Sequence, residues 1–298
     1  MQVSTGVHPQ ISGSDSDLLL NLPNSSGSLK SRTESVATII NPDEAQYRQA
    51  FLEVQRQLVN GNTYQAVISS QAKVRFQRTW LSHFRDRFGA RPGRLKPYLY
   101  SGPSTTFYGG SFVPHLRRAG STIKTTVVAG TSPIHDENHE RPHTARHEAE
   151  HLMLVDLERN DLGAIAEEDS VDTGKLMVPT GSVGAQYLAT DVSATLRRDL
   201  RPFDVILANF PRCVVTGGPK IRTMAIIRNA ERRSRGYYGG ALGLAASGGS
   251  KLESLTILGC VLVDGDHGLI PTGGGVTIAS TLEDELAEIA AKREVLLG

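Results

Sequence analysis

Four runs between residues 64 and 130 constrain the fold of this 298-residue chain more than anything else in it: YQAVISSQAKVRF, PYLYSG, TTFYGGSF and STIKTTVVAG. Each is rich in β-branched or aromatic residues and punctuated by Gly or Pro, the pattern of consecutive strands, with a helix near 78–88 among them. A second block mixes helices near 144–159, 193–210, 219–232 and 282–297 with strands near 184–192, 238–246, 254–263 and 268–278. The strands cluster instead of alternating strictly with helices, which predicts an α+β protein with antiparallel sheets over a doubly wound parallel one. Ahead of them, NPDEAQYRQAFLEVQRQLVNGN has apolar residues at 47, 50, 51, 54 and 58, Asp43 as a candidate cap and Gly61 past the end, so a helix is expected over 43–60.

Residues 1–42 are rich in Ser, Asn and Gly without sustained periodicity and read as a mobile arm; 43–298 reads as one domain. An apolar fraction of 39% is enough for a sizeable core. With 32 Lys and Arg against 31 Asp and Glu, the net charge of +1 leaves no electrostatic footprint for nucleic acid. No apolar run is long enough for a membrane span, and MQVSTGVHPQ lacks the basic start of a secretion signal. Two cysteines, Cys213 and Cys260, suit a reducing compartment, so a cytoplasmic protein is expected.

HEAEH, residues 147–151, has the letters of a zinc peptidase signature. His147 and His151 stand one helical turn apart and Glu148 could act as base, but a catalytic zinc needs a third protein ligand, and the HExxHxxGxxH extension is missing. His135, His139, His143, His147 and His151 recur every four residues, and Pro142 breaks the helix that would align them. A solvated polar helix face explains the stretch better than zinc.

A longer stretch that overlaps the pentapeptide is more specific. AEHLMLVDLERNDLG (149–163) closely resembles the signature of chorismate-utilising enzymes, the family of anthranilate synthase large subunits and of aminodeoxychorismate, isochorismate and salicylate synthases. The resemblance continues in order through VVAGT (127–131), FPRCVVTGGPKIRTMAII (210–227), RGYYGGALGL (235–244), GGGV (273–276) and EDELAEIAAKREVLL (283–297), and covers residues 45–298. It implies antiparallel sheets packed as a sandwich with flanking helices, and a lyase of the anthranilate synthase component I type or a repurposed relative.

By this resemblance Mg²⁺ is held by Glu150, Glu285 and Glu288, hard carboxylate ligands suited to that ion. Glu285 and Glu288 stand three apart and Lys292 four further on, so all three share one helix face. Gly130, Thr131, Gly273, Gly274 and Gly275 match the substrate-facing loops, where backbone N–H groups need an unobstructed approach. Gln65 stands where water-using relatives carry a lysine base, and Ala129 where aminodeoxychorismate synthase carries its nucleophilic lysine. Both choices resemble ammonia-using anthranilate synthase, which implies a glutamine amidotransferase subunit as partner.

Other positions depart from the family. His147 stands where relatives have an acid, with Glu148 beside it as a candidate substitute. Val113 replaces the glutamate that acts as general acid, Tyr187 the active-site histidine, and Leu258 the arginine that clasps the enolpyruvyl carboxylate, while its partner Tyr238 is kept. Tyrosine can hydrogen-bond or act as an acid, but with an ordinary pKa of about 10 it is a poor base. The metal end is retained and the enolpyruvyl end altered. The expectation is a Mg²⁺-dependent enzyme acting on chorismate or a cyclic carboxylate modified at, or lacking, the enolpyruvyl arm. A conventional ammonia-using synthase and a non-catalytic metabolite-binding homologue are the alternatives.

Overall fold

The computed structural model describes residues 37–88, 96–111, 113–133, 145–182, 185–198, 200–246 and 248–297. In chain order the elements are β1 (Ala37–Pro42), α1 (Glu44–Val59), β2 (Gln65–Phe76), α2 (Trp80–Phe88), β3 (Lys96–Ser101), β4 (Thr106–Ser111), β5 (Pro114–Ala119), β6 (Thr122–Pro133), α3 (Ala145–Gly163), β7 (Asp172–Thr173), β8 (Val178–Ser182), β9 (Ala185–Thr195), α4 (Pro202–Ala208), β10 (Gly217–Gly218), α5 (Lys220–Glu231), β11 (Ala241–Ala245), β12 (Lys251–Thr256), β13 (Cys260–Asp264), β14 (His267–Thr277) and α6 (Leu282–Leu297). They build two seven-stranded sheets, antiparallel throughout the described strands. The first runs β1-β2-β14-β13-β4-β3 with β10 also on β2, and the second β11-β12-β5-β6-β9-β7 with β8 also on β9. The α+β expectation holds.

Burial explains the layers. Residues 65–70 of β2 are buried on both faces, so the strand is central. On one side Ala66 and Ile68 join Tyr47, Phe51, Val54 and Leu58 of α1, Ile226 and Ile227 of α5, and Ile289 of α6 in one core. The second sheet packs Ile123, Val127 and Val192 against Leu154, Val155 and Leu162 of α3. At Ile257–Gly259 the chain passes from the second sheet to the first, over a cluster of Tyr98, Phe107, Ile257 and Cys260.

Several boundaries differ from expectation. The expected helix over 193–210 is instead the end of β9 followed by the short α4: Val192, Ala194 and Leu196 are buried in alternation, a period of two. Pro202 and the Asp204 carboxylate, which accepts from Arg201 N at 3.2 Å, start the helix only afterwards. The expected strand over 254–263 is two strands, β12 and β13, one in each sheet. β1 occupies the last residues of the segment read as an arm, pairing Ala37 with Phe76 and Pro42 with Ala72. Residues 1–36 lie outside the described residues.

Between β10 and β1, one edge of β2 is closed by side chains instead of a strand. Glu231 accepts from Ser69 N (2.6 Å), Arg233 donates to Ser69 O (2.7 Å), and Arg235 donates to Val67 O and to Val215 O (2.8 Å) while pairing with Glu231. A further buried network ties α3 to the second sheet. Arg212 and Glu158 pair at 2.9 Å with almost no exposure, and Arg212 also donates to Pro114 O (2.6 Å), Thr256 Oγ1 (3.4 Å), Thr125 Oγ1 (3.0 Å) and Thr126 O (3.2 Å). Burial alone would raise the Glu158 carboxyl, but Arg212 and the Cys213 thiol outweigh it and hold it below the usual range.

Candidate functional site

The three consecutive glycines of β14 are the floor on which the side chains converge. Alternate residues of a strand face opposite ways, so Gly273 and Gly275 look to one side and Gly274 to the other. A methyl group at Gly273 would meet the Tyr238 hydroxyl, one at Gly275 the Gln65 amide, and one at Gly274 the Glu285 carboxylate at 2.6 Å. Glycine is required at Gly273, where the Ile68 carbonyl also stands 2.7 Å from the Cβ position, while at Gly274 and Gly275 a Cβ would displace the ends of Glu285 and Gln65.

Around this floor the expected residues gather. Gln65, buried at the start of β2, donates through Nε2 to Glu150 Oε1 at 2.8 Å, joining the first sheet to α3. Lys292 of α6 donates to Gly273 O at 2.7 Å and pairs with Glu288 at 2.6 Å, one turn earlier on the same face. Burial pulls the Lys292 ammonium down, but Glu288, Tyr238 and Glu285 overcome it, so it stays charged well into alkaline conditions. Tyr187, half-buried on β9, has its pKa raised by burial and feels both Lys292 and Glu288, so its phenol is held protonated. Tyr238 is raised likewise, chiefly by burial, and lies under the Arg235 guanidinium, 5.8 Å from its ring centre. Gly130 and Thr131 form a backbone bulge in β6: Ala129 pairs with Leu188 and Ser132 with Gln186, so two residues face Tyr187 alone.

In the sequence Tyr47 reads only as one apolar position of α1. Its hydroxyl is buried and lies 3.9 Å from the point where a Gly274 methyl would sit, beside Glu285, and it makes no hydrogen bond to the described residues. Burial, then Glu285 and Glu288, raises its pKa, keeping the phenol protonated. No periodicity rule separates such a phenol from a core ring.

Val113 and Leu258 belong to the apolar side. Val113 is buried and its carbonyl accepts from Thr256 N (3.1 Å); Leu258 lies two residues on, in the passage between sheets, next to Ile257, which exchanges backbone bonds with Gly239 and Gly240. The charged groups thus gather around Gly273–Gly275, and the backbone of Ile257, with Leu258 after it, runs along the Tyr238 turn.

The zinc letters dissolve. His151 is fully buried, with Nε2 2.7 Å from Thr190 Oγ1, and Glu148 is exposed, turned away from Glu150 and so no substitute for the missing acid. His135, His139 and His143 lie outside the described residues. Magnesium fits in the kind of donor, carboxylate oxygen, but Glu285 meets β14 on the Gly274 side, opposite the Gly275 side where Gln65 and Glu150 lie. Among the described residues no three acidic or imidazole groups already converge on one point; Gln65 holds Glu150 and Lys292 holds Glu288.

A match to the chorismate binding enzyme family runs over residues 8–298. The chain belongs to that family. The family match begins upstream of residue 43, within the stretch read as an arm. Similar proteins include anthranilate synthase component 1 of Methanothermobacter thermautotrophicus, 32% identical over 82% of this chain and 54% of the relative, and that of Streptomyces coelicolor, 29% identical over 86% and 52%. This chain therefore spans about half the length of those relatives. Among solved structures, anthranilate synthase component I from Streptococcus pneumoniae (TM-score 0.75, 22% identity, 89% of this chain and 60% of that one) shares the fold. So does the menaquinone-specific isochorismate synthase of Escherichia coli (0.77, 18%, 91% and 66%). No described helix is long and apolar enough to cross a membrane.

Proposed function

We propose that this member of the chorismate-binding enzyme family is a Mg²⁺-dependent lyase that acts on chorismate, or on a related cyclic carboxylate modified at or lacking the enolpyruvyl arm. The observation that carries the reading is that Gln65–Glu150 and Lys292–Glu288 gather at the glycine floor, and the resemblance adds that Val113 and Leu258 stand at the positions where relatives carry the acid and the arginine for the arm carboxylate. Desolvating a carboxylate against leucine costs several kcal/mol, about 3 or more, without a partner. Glu150, Glu285 and Glu288 would hold the metal, which would supply positive charge for the ring carboxylate. Lys292 would set the carbonyl of Gly273 and add a second positive charge, Tyr238 would border the substrate on the Gly273 side, and Tyr187 would donate a proton or hold the ring in register.

Gln65 and Ala129 favour a second reading, the ammonia-using anthranilate synthase component I, with a glutamine amidotransferase subunit as nitrogen source. One experiment separates them: incubation with chorismate, Mg²⁺ and ammonium, following products and substrate binding in parallel. Binding of ring carboxylates without anthranilate release is expected. Turnover to anthranilate and pyruvate would establish the conventional synthase instead. If Glu150→Ala leaves Mg²⁺ affinity unchanged, the metal site is wrong.

A further inference from the structure

The start of α1 carries a polar cluster distinct from the carboxylates at the glycine floor. Asp43 precedes the helix without capping it by its side chain. Its carboxylate instead accepts from the Ser70 hydroxyl and lies 3.0 Å from Arg233 Nη2 and 3.6 Å from Arg293 Nη2. The first-turn N–H groups of this 16-residue helix, the positive end of its dipole, thus lack a side-chain acceptor from Asp43. Thr272 lies directly across the β2–β14 ladder from Ser70, so the two side chains share one side of the sheet.

Five atoms of this cluster are buried and make no hydrogen bond to the described residues: the donors Arg293 Nε, Arg233 Nε and Nη1, the Thr272 hydroxyl, and Asp43 Oδ2, which is an acceptor but carries the charge that Arg233 pairs with at 3.0 Å and is not aligned with a donor. Arg293 is only 4% exposed and Thr272 1%. Buried guanidinium donors are costly to leave without acceptors. The charges do not balance either, because two guanidinium groups share the single carboxylate of Asp43. Burial pushes Arg293 below the ordinary arginine range, Asp43 and the exposed Glu44 only partly offset this, and Arg233 adds to it.

We propose that this cluster binds a small singly charged anion, held by Arg293, Arg233 and the Thr272 hydroxyl at the N-terminus of α1. Such an ion supplies the missing acceptor and the missing charge together, and uses the helix end as a third source of attraction. Its position gives it a consequence. Thr272 adjoins Gly273 and Arg293 adjoins Lys292, so the ion braces from behind the two segments that the Lys292–Gly273 bond joins in front.

Chloride is the direct probe, read by ³⁵Cl NMR line broadening as the full chain is added, with acetate as competitor. Saturable broadening is expected in the unaltered protein. Thr272→Val should weaken chloride about threefold to tenfold, the loss of one hydrogen bond, and Arg293→Met should abolish the effect. Displacement of chloride by acetate supports a site open to monocarboxylates, and failure of acetate to compete supports one restricted to halide. Broadening that does not saturate, or that survives both substitutions undiminished, overturns the proposal. Should Arg293→Met fail to fold, the isosteric Thr272→Val decides alone.

Discussion

Arg212 and Arg293 are both buried guanidinium groups, one facing each sheet, and their surroundings differ in completeness. Every N–H of Arg212 has an acceptor within the chain: Glu158, Pro114 O, Thr256, Thr125 and Thr126 O. Arg293 reaches Ser70 and Asp43 but leaves Nε without one among the described residues. A buried charge costs several kcal/mol unless its hydrogen bonds are complete. The first cluster therefore reads as a finished fastening of α3 to its sheet, and the second as a place completed by something from outside the chain.

The largest expected effect tests the finished cluster. Arg212→Met should cost about 3–5 kcal/mol of stability, because it strands Glu158 in an interior with no counter-charge. Arg293→Met in chloride-free buffer should cost about 1–2 kcal/mol, since fewer bonds are lost and the excess positive charge is relieved. Urea unfolding of both variants measures the gap, and equal losses would erase the distinction between the two clusters.

A middle-sized effect comes from pH. Burial, then the Arg212 charge, lowers the His115 pKa to about 4, against an ordinary value of 6.5. Between those values the unfolded chain binds a proton that the folded one refuses, so this contribution is whole above pH 6.5 and is lost as pH falls to about 4. The loss is about 3 kcal/mol. His115→Gln should flatten the stability profile over that window; an unchanged slope would mean the imidazole is not held neutral.

The smallest effect belongs to the open cluster. Thr272→Val without chloride should shift stability by no more than about 0.5 kcal/mol, because the hydroxyl forfeits no bond within the described chain. A loss near 2 kcal/mol in the same urea assay would mean that the hydroxyl already has a partner.

Of the helices, α1 was legible from its sustained apolar period, whereas α5 and α6 bury Thr223, Glu231, Glu285 and Arg293 within their inner stripes and show that period only weakly. β5 escaped notice because PHLRRA alternates imperfectly and looks like surface, although His115 and Leu116 are buried. The supposed helix over 193–210 failed for a related reason: SATLRRDLRPFDVILANF has helical composition, and only tertiary pairing of Val192, Ala194 and Leu196 makes its first part a strand. At the site, Glu150, Glu288, Lys292 and the glycines could be singled out because they carry charge or lack a side chain in a recognisable order, whereas Gln65, a neutral amide at the start of a strand, stood out only through the family resemblance. Tyr47 could not, since its neighbours in space, Gly274 and Glu285, are more than two hundred positions away. The Glu231–Arg233–Arg235 closure was equally hidden, because a charged turn after a helix ordinarily faces water.

That closure has a consequence for how the protein can fail. A strand edge sealed by another strand needs many changes to open, whereas the edge of β2 from the Val67 carbonyl to the Ser69 carbonyl rests on three side chains from one short stretch. Losing Glu231 or Arg235 exposes unpaired backbone in a run with strong β-propensity, QAVISSQ, which is a template for another molecule of the same chain. Substitutions there should show themselves first as loss of soluble protein on expression, well before any measurable change in catalysis or binding.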